Sequence, residues 1–148
     1  MNRLRRFLRI RWHEKKAFAF SLAVMTGTRV ALAFYTPRDV AAMLDRMNRA
    51  LPLAAGQRPI ALRRLIRRVM QARHYAPVPT TCLSESLAAQ AVLAHYGHRG
   101  ELRIGVQKTE GRFEAHAWLE CADQILIGTP TPDGKTYVNL TGAERLAG

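Results

Sequence analysis

Two residue types in this chain could carry covalent catalysis. The 148 residues hold two cysteines, Cys82 and Cys121, and five histidines. Thr81 is a good helix cap, which makes Cys82 the first residue of a helix. There the unpaired N–H groups and the helix dipole favour a thiolate and can hold an oxyanion. A lone cysteine is more often buried and inert. Cys82, however, follows the proline-bounded loop Ala76-Pro77-Val78-Pro79-Thr80-Thr81, a setting that favours a reactive role. His116 follows 34 residues later, on an alternating stretch, opposite Phe113, Ala115, Ala117 and Leu119. With one face apolar, the other is expected to meet a cleft or solvent. A cysteine on a helix start and a histidine on a following strand form a nucleophile–base arrangement. Cys121 reads as structural. His13 and His74 lie in basic surroundings, and His95 and His98 flank a helix end as capping or surface residues.

The elements that must position this pair can be read from periodicity. Thr36-Pro37-Arg38-Asp39 opens a helix, with a cap, a proline at its first position and an acid near its positive end. Val40, Met43, Leu44 and Met47 then recur at helical spacing. A second helix runs from Pro59 to Arg73, with Leu62, Leu65, Ile66 and Val69 on one side. Arg63, Arg64, Arg67 and Arg68 form a dense patch on the other. The helix that starts at Cys82 ends near Tyr96 at Gly97. Beyond Gly100 the period becomes two, with turns at 108–111, 122–123 and 130–134. This predicts an antiparallel meander of three or four strands, the last over Lys135 to Leu140. The fold class is α+β: basic helices, then a Cys-bearing helix packed on an antiparallel sheet. The change in composition at Ala76-Pro77-Val78-Pro79 divides the chain into a basic helical region, 1–75, and a core region, 76–148.

Charge is unevenly placed. Residues 1–75 carry 17 Lys/Arg against 3 Asp/Glu, whereas residues 76–148 carry 6 against 8. The basic half could meet nucleic acid, an anionic membrane or an acidic protein, or could simply be a solvated face. The charge-free run from Ala17 to Thr28 is too short to span a bilayer and reads as a buried or interfacial helix. A sixteen-residue charged lead and Arg29 argue against a signal peptide. Two cysteines without a CxxC pair give neither a disulfide scaffold nor a structural zinc site, and no nucleotide or phosphate motif is present. No cofactor or metal is expected.

Three stretches together resemble a known family. Thr81-Cys82-Leu83-Ser84-Glu85-Ser86-Leu87-Ala88, then Leu102-Arg103-Ile104-Gly105-Val106, then Phe113-Glu114-Ala115-His116-Ala117-Trp118-Leu119-Glu120 resemble the transglutaminase-like cysteine proteases of lasso-peptide biosynthesis. The resemblance covers residues 80–128, with a looser similarity in the basic half. It implies a papain-like or transglutaminase-like core, Cys82 as nucleophile and His116 as general base and acid. It also implies an Asp about a dozen residues past the histidine. That slot falls on Gly128-Thr129, and a two-residue turn at Ala122-Asp123 would set Thr129 opposite His116. Asp133, Thr129, Asn139 or a backbone carbonyl could orient the imidazole instead. Trp118 either walls a peptide groove or packs, and Glu120 reads as a solvated strand charge.

The family implies a standalone protease that removes the leader of a ribosomally made precursor peptide. Its implied partners are that precursor, a separate leader-binding protein and an ATP-dependent, asparagine-synthetase-like cyclase, to which the ATP belongs. The implied location is cytoplasmic, with a membrane-surface contact through the basic half as an option. Two other readings stay open: another transglutaminase-like acyl transferase or deamidase, and a non-catalytic basic adaptor that binds peptide or nucleic acid.

Overall fold

The computed structural model describes residues 10–53, 60–122, 124–128 and 138–139; for Thr109, Val138 and Asn139 only the backbone is described. The described elements are α1 (Trp12–Ala31), α2 (Pro37–Ala50), α3 (Leu62–Tyr75), α4 (Cys82–His95), β1 (Glu101–Thr109), β2 (Arg112–Cys121), β3 (Gln124–Ile127) and β4 (Val138–Asn139). The class is α+β, as expected.

Helix starts follow local capping chemistry. Thr36 and Asp39 form a capping box ahead of α2, with Pro37 in its first turn. Thr81 and Ser84 form another ahead of α4. The end of α4 is a Schellman turn: Gly97, at φ +82°, lets His98 N–H donate to Leu93 O at 2.9 Å.

Helix α4 is central. It contacts α1, α2 and α3 and also β1, β2 and β3. Its Ala88, Ala89, Val92 and Leu93 join one buried cluster with Ala17, Val24 and Met25 of α1, Leu65 and Val69 of α3, and Leu119 and Ile127 of the sheet. The core thus draws on both sides of residue 76. The contact face of α1 is the stripe Ala17, Ser21, Val24, Met25 and Thr28, spaced by one helical turn. Met43 of α2 departs from its expected stripe and is exposed. Among the described residues, no helix is long and apolar enough to cross a membrane.

The sheet order is β3-β2-β1-β4, all antiparallel. Strands β1 to β3 form the expected meander. The fourth strand does not continue it: β4 returns to pair with β1 on the far edge. Glu110 and Gly111, at φ +50° and +81°, make the two-residue turn that fixes the β1–β2 register. The β2–β3 turn also spans two residues, but a bulge follows. Leu119 pairs with Ile127, while Glu120 pairs with Ile125 and Cys121 with Gln124. The register is therefore one residue away from the one that would set Thr129 opposite His116; Thr129 itself lies outside the described residues.

Candidate active site

Cys82 occupies the first turn of α4, half-buried, with its thiol free. Three consecutive residues ahead of it are each tied down. Pro79 O accepts from Arg29 Nε at 2.9 Å, Thr80 Oγ1 donates to Glu85 Oε1 at 2.6 Å, and Thr81 N–H donates to Ser84 Oγ at 2.8 Å. Glu85 is itself buried, and Arg73 Nε donates to it at 2.9 Å. The guanidinium thus pairs with a carboxylate buried one turn from Cys82. The cap consumes the Ser84 N–H, which donates to Thr81 Oγ1 at 3.2 Å. The amides of Cys82 and Leu83 keep no partner among the described residues, so two N–H donors stand beside the thiol. Arrays of this kind stabilise the oxyanion of acyl transfer.

His116 lies in the middle of β2, half-buried, and α4 packs against that strand. The simple two-face picture of β2 needs correction. Burial is graded along the strand: Phe113 and Ala115 are exposed, while Ala117, Trp118 and Leu119 are all buried. The C-terminal half of the strand enters the core with both faces, and His116 marks the border. This burial selects packing for Trp118 and changes the expectation for Glu120. Trp118, 2% exposed, is enclosed and does not wall an open groove. Glu120 is not a solvated charge: its Oε1 accepts from Trp118 Nε1 at 2.6 Å and its Oε2 from Arg103 Nε at 3.2 Å.

Half of the expected aspartate slot is sterically tight. Gly128 has φ +80°, and a Cβ there would stand 3.0 Å from Trp118 Cβ and 3.3 Å from Ala117 O. A carboxylate side chain in that slot would need both a left-handed backbone and a displaced Trp118. Asp133 and Thr129 lie outside the described residues. Asn139 holds a definite register position: it pairs with Gly105, and Gly105 pairs with His116. Only a glycine separates the two in that row, across two strand spacings of about 4.8 Å each.

The other histidines and Cys121 have varied settings. His98 Nε2 lies 2.7 Å from Ile60 O and ties the end of α4 to the start of α3. His95 is half-buried in the last turn of α4. It packs against Phe20 at 4.4 Å between ring centroids, and burial pushes its pKa down. His13 and His74 are exposed. Cys121 ends β2, half-buried and without a disulfide. Among the described residues, no group of three or more His, Cys, Asp or Glu could hold a metal ion.

The arginine patch divides. Arg63, Arg64 and Arg67 are exposed. Arg68 is not part of a free face: its Nη2 and Nε donate to the buried Glu14 Oε2 at 2.6 and 3.1 Å, and its Nη1 donates to Gln71 Oε1 at 2.9 Å.

A helix opened by cysteine, packed on an antiparallel sheet that bears a histidine, is a fold of the cysteine-peptidase and acyltransferase type. The family model described as the Transglutaminase-like superfamily matches residues 22–141, and the chain belongs to this superfamily. The match begins inside α1 and covers the described helices and strands that follow it. No curated protein and no solved structure matches the chain.

Proposed function

We propose that this protein is a cysteine peptidase that removes the leader from a ribosomally made lasso precursor peptide. The observation that carries the reading is Cys82 in the first turn of α4, with two unengaged amide donors in that turn, on the helix that packs against the strand bearing His116. In the reaction, Cys82 Sγ attacks the scissile carbonyl while His116 takes the thiol proton. The N–H groups of Cys82 and Leu83 hold the oxyanion. The tetrahedral intermediate collapses, His116 protonates the leaving amine, and the core peptide departs. Water, activated by His116, then releases the leader from the thioester. The precursor is delivered by a separate leader-binding protein. An ATP-dependent, asparagine-synthetase-like cyclase acts next, and ATP belongs to it.

A deamidase or transglutaminase would use the same Cys–His chemistry on a glutamine side chain. The specific support for the peptidase is the ordered set of Cys82-Leu83, Leu102-Arg103-Ile104-Gly105-Val106 and Glu114-Ala115-His116-Ala117-Trp118. The test incubates the purified protein with a candidate precursor and leader-binding protein and reads product masses. Two fragments that sum to precursor plus one water support the peptidase. A single product shifted by the exchange of an amide for an acid points to the deamidase.

A further inference from the structure

We infer that Arg103, Glu120 and Trp118 form a brace that sets the orientation of the His116 imidazole. The inference deepens the acyl-transfer reading above and rests on it for its catalytic meaning. All four residues share one face of the β1–β2 pair. The register sets Arg103 opposite Trp118, and Gly105 opposite His116. The Trp118 and His116 rings are stacked, with centroids 6.1 Å apart and planes 21° from parallel. The indole donates its N–H to Glu120 Oε1 at 2.6 Å, Arg103 Nε donates to Glu120 Oε2 at 3.2 Å, and Arg103 Nη2 continues to Glu101 Oε2 at 2.6 Å. Glu120 and Arg103 are largely enclosed, with side chains 21% and 15% exposed.

The chemistry of the chain argues for more than packing. A buried indole needs one acceptor for its N–H, and a neutral carbonyl or amide suffices. Here the acceptor is a carboxylate that must itself be neutralised by a guanidinium from the next strand. Charge-assisted bonds are shorter and stronger than neutral ones and fix direction. Tying the N–H edge of the indole removes the ring flip that would turn its plane, so Trp118 presents one fixed face beside His116. Gly105 contributes no side chain on the cross-strand side, which leaves the indole as the aromatic wall of the imidazole. When His116 takes the thiol proton it becomes a cation next to that face, at the edge of cation–π reach. Trp118 and Glu120 are thus positioning residues; they act through His116 and do not touch the substrate.

The test uses Glu120→Gln, which keeps shape and an acceptor but removes the charge, and Trp118→Phe, which keeps an aromatic ring but removes the N–H. Thermal melts establish that each variant folds; where Trp118→Phe does not, Glu120→Gln alone decides. Two readouts are taken on the full chain: kcat and KM for peptide cleavage, and the His116 ring-proton resonances, assigned by comparison with His116→Gln. The brace predicts a kcat loss on the order of ten- to a hundredfold with KM within about twofold, the pattern of a misplaced reacting group. It also predicts that the His116 ring protons lose the ring-current displacement imposed by a fixed indole. Folded variants with parental kcat and unmoved His116 resonances overturn the brace and leave Trp118 as a packing residue. A parent chain without acyl-transfer activity would instead contradict the proposed function, while the ring-proton spectrum still decides whether the brace exists.

Discussion

Cys82 and His116 are held in different ways, and substitutions at them have different costs. The cysteine is fixed through the backbone, by the cap of α4 and by the bonds to Pro79, Thr80 and Thr81. Replacing its side chain leaves those bonds intact, so Cys82→Ala folds. His116 is fixed through side chains. His116→Ala lowers the cleavage rate on the order of 10²–10⁴-fold, the range of a positioned acid–base group, measured with the same precursor. Activity within a few-fold of the parent would reduce His116 to a strand residue. The group that completes the set can be sought by position. Asn139 shares a register row with Gly105 and His116, whereas a side chain at Gly128 would press on Trp118 and Ala117. Asn139→Ala is therefore expected to slow kcat and Asp133→Ala to leave it near the parent, as read from initial rates. The reverse order of effects would give the role to Asp133.

At the scale of elements, the ion pair between α1 and α3 is a structural joint. Glu14 is 7% exposed and has Arg68 at 2.6 Å and Arg64 at 3.7 Å. Arg68→Gln leaves the buried Glu14 with only the longer contact to Arg64 and should cost up to about 3–5 kcal/mol in denaturant unfolding, less what Arg64 recovers by moving closer. A loss below about 1 kcal/mol would mean that Glu14 finds water or another cation. His95 adds a pH dependence. Its folded pKa lies below the ordinary value of about 6.5, because burial penalises the cation. The unfolded chain then takes up the proton first. Stability is unaffected by this group above about pH 6.5 and falls as pH drops through the folded value. His95→Phe should flatten that acid limb in melting curves taken across the window; an unchanged limb would assign it to other groups. The sequence shows some of this level well. The starts of α2 and α4 and the glycine stop of α4 are legible because capping is settled by neighbours within four residues. The β1–β2 turn is legible only as the segment 108–111; the structure narrows it to Glu110-Gly111, and that register sets Arg103 opposite Trp118. Other features depend on distant partners. Arg68 reads as surface because Glu14 lies 54 positions earlier. The β2–β3 bulge, the return of β4 to β1 and the double burial of Ala117, Trp118 and Leu119 are settled by tertiary packing, which period-two alternation does not encode.

At the level of the whole molecule, the positive charge of the first half is split between engaged and exposed arginines. Arg29, Arg68 and Arg73 are engaged within the fold, bonding to Pro79, Glu14 and Glu85. Arg63 and Arg67 on α3 are exposed and face solvent, and α3 has no acidic residue. We propose that this face docks the acidic surface of a partner, the leader-binding protein first among them. Clustered like charge speeds encounter and makes association depend on salt. Arg63→Gln with Arg67→Gln preserves helix propensity and leaves the Glu14 joint alone. Processing of leader-bound precursor should slow, and added salt should matter less than for the parent. Equal rates across a salt series would leave these arginines as a solvated face.

The proposed reaction turns on a thioester between Cys82 and the leader. Intact-mass measurement of the protein, quenched in acid during turnover of the precursor, tests it directly. The account predicts an adduct equal to the leader fragment less one water, mapped to Cys82, absent from Cys82→Ala and retained in Cys121→Ala. An adduct equal to the whole precursor less ammonia would contradict the peptidase and assign the chain to glutamine chemistry. Full leader removal by Cys82→Ala would contradict covalent catalysis at this residue altogether.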